Sequence, residues 1–278
     1  FPPQTVEAYV MAFHDQGYAE ISEAALAASP SHTLKLRKWG RVEGTLRVGT
    51  KPAPDEEVSL FVRHDERTRP VWMYRIAFDD RVKTDRLGRF AFDRVVPGLA
   101  TVTRMIPTGP HSMTSGTRAS VKVEPGETSR VKVGGEGRPV IGRLVEPEGA
   151  KLVVDWTRVR HQSLMLKPPP ITQLKKGATK EERAAEYKKW LQTEEGNRYD
   201  AYQKNRRDYG FRIESDGSFR VDDVTAGTYE LIVDVEDGSL DKRKILGSIT
   251  KTVVVPEMEG GQSVEPLDLG MVPLEPAP

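Results

Sequence analysis

The residues able to do chemistry in this chain are present but dispersed. Five histidines, His14, His32, His64, His111 and His161, fall in no HxH or HExxH arrangement. A metal site needs three or four donors converging within bonding distance, and no local spacing here provides them. Cysteine is absent, which excludes disulfides, thiolate metal sites and a cysteine nucleophile. Carboxylates bunch in "DVEDGSLDK" (234–242) beside Gly238. A calcium loop would place ligands at alternate positions with a glutamate at the twelfth, so "EDG" reads instead as a hairpin turn. No GxSxG elbow precedes a helix, and no Ser/His/Asp arrangement is visible along the chain. "KVGGEGRPV" (132–140) lacks the Lys-Ser/Thr and following helix of a phosphate loop and reads as a linker. Asp79/Asp80 and Asp222/Asp223 are consecutive, so on strands they face opposite sides and make no general acid/base pair. The expectation is a chain with no catalytic residues, no metal and no cofactor.

One group of residues supports a binding hypothesis. Tyr187, Trp190, Tyr199 and Tyr202 crowd one segment, and Trp72 and Tyr74 occupy the matching place earlier in the chain. Such rings can stack on a sugar or peptide. They can equally anchor their own segment, because short helices need tertiary packing to persist.

The elements that would position these residues are legible as a repeat. "TDRLGRFAFDRVVPGLATVTRM" and "ESDGSFRVDDVTAGTYELIVDV" align with Gly88 on Gly217, Phe90 on Phe219, Phe92 on Val221, Val95 on Val224, Gly98 on Gly227, Ala100 on Tyr229 and Val102 on Leu231. Each copy is a turn, alternating apolar residues, a second turn and alternation again. That is the signature of a hairpin with one buried face. Asp85 and Asp216 suit turns whose last position takes positive φ. Upstream, "WGRVEGTLRVG" (39–49) matches "GRPVIGRLVEPEG" (137–149). Downstream, "ASVKVEPGETSRVKVG" (119–134) matches "KTVVVPEMEGGQSVEPLDLG" (251–270). Three blocks in one order imply two homologous modules. Short strands with turns every ten residues or so predict a mainly β fold of two tandem sandwiches.

With 278 residues there is room for two ordinary domains. We expect residues 1–33 to form a hairpin and short helix, either the remnant of a preceding module or an extra edge on the first sandwich, residues 34–134 a first β-sandwich, and residues 135–278 a second. Within 1–33, "TVEAYVMAF" and "YAEIS" read as strands around a turn at Gly17, followed by a short helix begun at Ser22. The second module carries a helical insertion at about 168–209. There Thr179 and Glu182 have capping-box spacing, and Ala184, Tyr187, Trp190 and Leu191 share a helical face. Gly196 is expected to break the helix. The start "FPPQTVEAYV" reads as a mature or trimmed segment.

Strand, "DGSF", strand, then a glycine turn leading to Tyr229, resembles the carboxypeptidase regulatory-like family. That family is related to transthyretin-like, Ig-like and collagen-adhesin B-type sandwiches. Asp216, Gly217, Phe219, Val224, Gly227 and Tyr229 carry the likeness, with Gly88, Phe90, Val95, Pro97 and Gly98 in the first module. The first module departs from it with Ala100 in place of the aromatic and "DRLG" in place of "DG". The resemblance implies a fold rather than an activity, since all of these are turn or core residues. Some B-type relatives carry a Lys–Asn isopeptide crosslink. Here asparagine occurs only at Asn197 and Asn205, in the helical insertion, so that crosslink is not expected. The stretch "WLQTEEGNRYDAYQKNRRDYGFRIESDGSFRVDDV" with a closing "DLGMVPLE" also resembles accessory regions of large exported planctomycete-type bacterial proteins. In some of those a thioredoxin-like domain follows.

Lys+Arg 42 against Asp+Glu 41 leaves a net charge of +1. That removes the electrostatic reason to expect nucleic acid or an anionic membrane, and no apolar run is long enough to span a bilayer. The expected function is a non-catalytic extracytoplasmic interaction or spacer module, periplasmic or at the cell surface, with a protein partner or assembly. The alternatives are a carbohydrate- or peptide-binding module using the insertion's aromatics, and an accessory region of an enzyme whose catalytic domain lies outside this chain.

Overall fold

The computed structural model describes residues 9–31, 33–63, 78–109, 112–146, 154–156, 159–171, 180–236 and 245–276. The chain is mainly β and divides into two compact units. One comprises Phe1–Ile106 and Ser115–Gly135, the other Pro107–Thr114 and Glu136–Pro278.

The first unit begins with a hairpin of β1 (Tyr9–His14) and β2 (Gly17–Ser22), then α1 (Glu23–Ala28). Ser22 caps α1 by accepting the Ala25 amide. An isolated two-stranded hairpin is marginal, and this one is held by Trp39. That indole stacks between Phe13 (6.2 Å) and Tyr18 (5.5 Å) and donates its N–H to the His14 carbonyl at 2.8 Å. Tyr18 is buried in the core of the first sandwich.

That sandwich comprises β3 (Gly40–Val48), β4 (Lys51–Pro52), β5 (Glu57–Arg63), β6 (Phe78–Lys83), β7 (Arg89–Val95), β8 (Gly98–Gly109), β9 (Ser112–Val123) and β10 (Thr128–Val133). One sheet runs β10-β3-β7 with β4 beside β3, and the other runs β6-β5-β8-β9. Alternation selects the inward face: Val42 and Leu46 on β3, Val58, Leu60 and Val62 on β5, and Phe90 and Phe92 on β7. Burying side chains of this size contributes roughly 1.5–3 kcal/mol each, so apolar contact between the two inner faces is what chiefly holds the sandwich together.

The second unit contains β11 (Arg138–Val145), β12 (Val159–Leu166), α2 (Lys180–Trp190), α3 (Glu194–Asn205), β13 (Asp208–Gly210), β14 (Ser218–Val224), β15 (Gly227–Glu236), β16 (Ile245–Val255), a short 3₁₀ turn (Glu259–Gly261), β17 (Leu267–Pro273) and β18 (Glu275–Pro276). Its sheets run β14-β11-β17 and β13-β12-β15-β16-β18. In order, β3, β5, β6, β7, β8, β9 and β10 correspond to β11 through β17. Both units pair their first strand antiparallel to the hairpin strand (β3–β7, β11–β14) and parallel to their last (β3–β10, β11–β17). The registers agree as well: Leu60 pairs with Val102 and Asp80, and Leu164 pairs with Leu231 and Tyr209. Gly88 (φ 71°) and Gly217 (φ 82°) close equivalent turns, where Asp85 accepts the Leu87 and Arg89 amides and Asp216 accepts the Ser218 amide.

The helical insertion differs from expectation in one respect. Gly196 does not break a helix. The break falls at 191–193, Thr193 caps α3 by accepting the Gly196 amide at 3.1 Å, and Gly196 sits in the first turn. A glycine is required there because a Cβ would overlap the Trp190 carbonyl and stand 2.6 Å from the Leu191 Cα. Thr179 and most of the "EDGSLDK" turn lie outside the described residues.

Candidate functional site

Three arrangements in the fold could carry a function. The first is the aromatic set of the insertion. α2 and α3 bring Tyr187, Trp190, Tyr199 and Tyr202 into one ladder, with successive ring centroids 5.7, 5.3 and 6.0 Å apart. Trp190 is 8% exposed and its indole N–H donates to the Glu195 carboxylate at 3.1 Å. Tyr202 donates its hydroxyl to the Leu166 carbonyl at 3.1 Å, which fastens α3 to the end of β12. Burial raises the Tyr202 phenol above its ordinary value. The inner rungs thus hold the insertion in place, while Tyr187, 42% exposed, offers its ring to solvent. Trp72 and Tyr74 lie outside the described residues.

The second arrangement has no sequence signature. His161 and Ser163 alternate on β12, and Asp234 on β15 is the register partner of His161. The Ser163 hydroxyl lies 3.2 Å from His161 Nε2, and His161 Nδ1 lies 3.8 Å from the Asp234 carboxylate. This is the atom order of a serine–histidine–aspartate triad. Ser163, however, is only 5% exposed. A nucleophile needs an acyl carbon within about 3–3.5 Å along an open approach, and a hydroxyl this buried gives none. The cluster satisfies a buried hydroxyl instead. No sequence rule could find it, because the register between β12 and β15 assembles it.

The third is a cleft of about 860 Å³ in the first unit. It is lined by Gly44 and Thr45 of β3, Val82 of β6, Phe90 of β7 and Val131 of β10, together with charged residues of these strands and Asp85 of the turn after β6. Sequence reasoning missed it because neither its apolar residues nor its charges are close together in the chain. Among the described residues no group of three or more His, Asp or Glu is placed to hold a metal ion.

No family model matches the chain, and no curated protein matches it. Solved structures show weak likeness. A candidate carbohydrate-binding protein of Pseudomonas aeruginosa is 14% identical, covering 38% of this chain and 96% of its own, with a TM-score of 0.25. A minor pilin of Streptococcus agalactiae is 8% identical over 86% of this chain and 97% of its own, with a TM-score of 0.31. The shaft pilin of Lactobacillus rhamnosus GG is 9% identical over 87% and 99%, with a TM-score of 0.26. Similarity this low carries no conclusion about this chain's fold or function.

Proposed function

We propose that this chain is a non-catalytic interaction or spacer segment of a larger extracytoplasmic protein or assembly, built from two carboxypeptidase regulatory-like modules. The observation that carries this reading is what the duplication preserves. Gly88/Gly217, Phe90/Phe219, Val95/Val224 and Gly98/Gly227 are all turn or core residues of two sandwiches with the same strand pairing. Repetition that keeps only backbone bends and buried side chains fits selection for a folded body rather than for a reacting site. The extracytoplasmic assignment rests on the resemblance of the insertion and the closing "DLGMVPLE" to exported bacterial proteins.

A second reading, carbohydrate or peptide binding, is favoured by the ladder from Tyr187 to Tyr202, whose exposed end suits stacking on a ligand face. A third, accessory region of an enzyme, predicts a reading frame that continues beyond Pro278 into a catalytic domain.

The deciding experiment exposes the purified chain to a glycan array and to a panel of ester, peptide and glycoside substrates, alongside proximity labelling in its native cell. The scaffold reading expects labelled protein partners, blank turnover and no saturable glycan binding. Glycan binding abolished by Tyr187→Ala, with melting unchanged, would install the second reading. Turnover abolished by Ser163→Ala would overturn both non-catalytic readings.

A further inference from the structure

The two modules carry equivalent edge strands but leave those edges in different states. β17, at the edge of its sheet in the second unit, is irregular. Its register with β11 shifts between Ile141 and Arg143, and Gly270 takes φ 66°. Pro273 lies in the same strand and has no amide to offer. Bulges and prolines are devices that keep another strand from joining a sheet edge. β10, the counterpart in the first unit, has neither. It pairs with β3 in unbroken register from Thr128 to Val133, and among the described residues no strand pairs with its other side.

The backbone shows which residues face that open side. Glu127, just before β10, accepts the Arg41 amide at 2.9 Å. The Val131 carbonyl oxygen stands 2.6 Å from where a Cβ on Gly44 would be. Residues 127 and 131 therefore turn toward β3. Successive residues of a strand direct their backbone groups to opposite sides, so Arg130 and Lys132 present their amides and carbonyls to the open edge. Their side chains lie on the outer face of the sheet, exposed and with no ion-pair partner among the described residues. Val131, between them, points inward and packs against the core of the first sandwich.

A strand added at this edge meets different chemistry on its two faces. Residues directly opposite one another share a face. Positions facing Arg130 and Lys132 would then stand outside, beside two uncommitted cations, and favour acids. The position facing Val131 would stand inside, on the apolar face, and favour an apolar side chain. A second copy of β10 is disfavoured, because like charges set opposite each other are destabilising. We propose that β10 is a docking edge for an extended segment of a partner protein in which acidic and apolar residues alternate, added as a further strand of the first sandwich. This rests on the reading of the chain as an interaction module and names what that module recognises.

Titration of the full chain with a fluorescein-labelled peptide TVEVEVT, with TVKVKVT as its counterpart of opposite charge, tests the proposal. The expected result is saturable binding of the glutamate peptide. Binding should be roughly tenfold weaker for the lysine peptide and for the variant Arg130→Ala/Lys132→Ala, whose melting temperature stays unchanged. Amide exchange followed by NMR should slow at Arg130 and Lys132 on binding, while Val131, already turned to β3, keeps its rate. No binding of the glutamate peptide, equal binding of both peptides, or binding that leaves exchange at Arg130 and Lys132 unaltered would overturn the proposal. The interaction reading fails separately, through an absence of labelled partners in the cell. A blank peptide titration beside labelled partners overturns this inference alone.

Discussion

Phe219 on β14 pairs across the sheet with Gly142 on β11, and its ring fills the place where a side chain on residue 142 would stand. Phe90 and Gly44 repeat the relationship in the first unit. A glycine in a central strand ordinarily weakens it, through chain entropy and lost packing. Here the facing phenyl ring recovers the buried area, so the pair behaves as a single packing unit that both modules retain.

Alanine at either glycine should be destabilising, but unequally. A Cβ on residue 142 would stand 2.8 Å from Phe219 Cζ, a ring that can shift slightly. A Cβ on residue 44 would overlap Phe90 Cζ and also stand 2.6 Å from the Val131 carbonyl oxygen, which is backbone and cannot yield. Overpacking of this kind costs about 1–3 kcal/mol. Gly44→Ala should fall at the upper end and Gly142→Ala at the lower in urea denaturation. The reverse order would mean that the rings, rather than the backbone, limit these sites.

Tyr229 shows why the turn before β15 leads into an aromatic residue. It is fully buried, and its hydroxyl donates to the Thr225 carbonyl at 2.9 Å, bracing the turn before β15. Removing that donor leaves a half-buried carbonyl to find another partner, at a cost of about 0.5–1.5 kcal/mol. Tyr229→Phe should lower the stability of the second unit by that amount with its sheet intact by circular dichroism. An unchanged unfolding midpoint would show that the bond carries no net stability. The first unit, with Ala100 at this position, does without the brace.

Burial pushes the phenol of Tyr209 up to about 12, with the nearby Tyr229 adding to the effect. In the unfolded chain a tyrosine titrates near about 10. Because the folded value is the higher one, the stabilising difference is complete below about pH 10 and is lost as pH rises through about 12. A gap of this size corresponds to about 3 kcal/mol. Wild-type chain should lose more stability between about pH 9.5 and about pH 12 than Tyr209→Phe, measured by urea midpoints of the second unit. Parallel losses in the two proteins would show that this phenol is not the responsible group.

Gly196→Ala should dismantle the insertion without dismantling the sandwich. The added methyl meets the Trp190 carbonyl, so α3 cannot keep its angle to α2, and the ring ladder separates. The helical circular dichroism signal should fall, and Tyr187 should become less ordered, while core strands β12 and β15 keep their amide protection in hydrogen exchange. Full retention of the helical signal would mean that the junction tolerates the shift.

Period-two alternation around Phe90 and Phe219, with glycines at the flanking turns, is enough to read two sandwiches and their repeat from the chain alone. Those signals are local: a strand's face and a turn's φ are set by a few adjacent residues, and Ser22, Gly88 and Gly217 each serve their part as the types alone indicate. The sequence misplaces the break of the insertion at Gly196 because glycine's backbone freedom and its lack of a side chain look identical there, and the second is the reason for this glycine.

What tertiary structure decided is everything that depends on which strands meet. Ser163, His161 and Asp234 converge only because β12 and β15 pair in one register, and the same burial that joins them closes Ser163 to substrate. The cleft of the first unit is lined from β3, β6, β7 and β10, strands that no local stretch of sequence brings together. Single residues in sequence carry volume and charge, but a cavity is a difference of volumes summed across strands, and only the packed fold performs that sum.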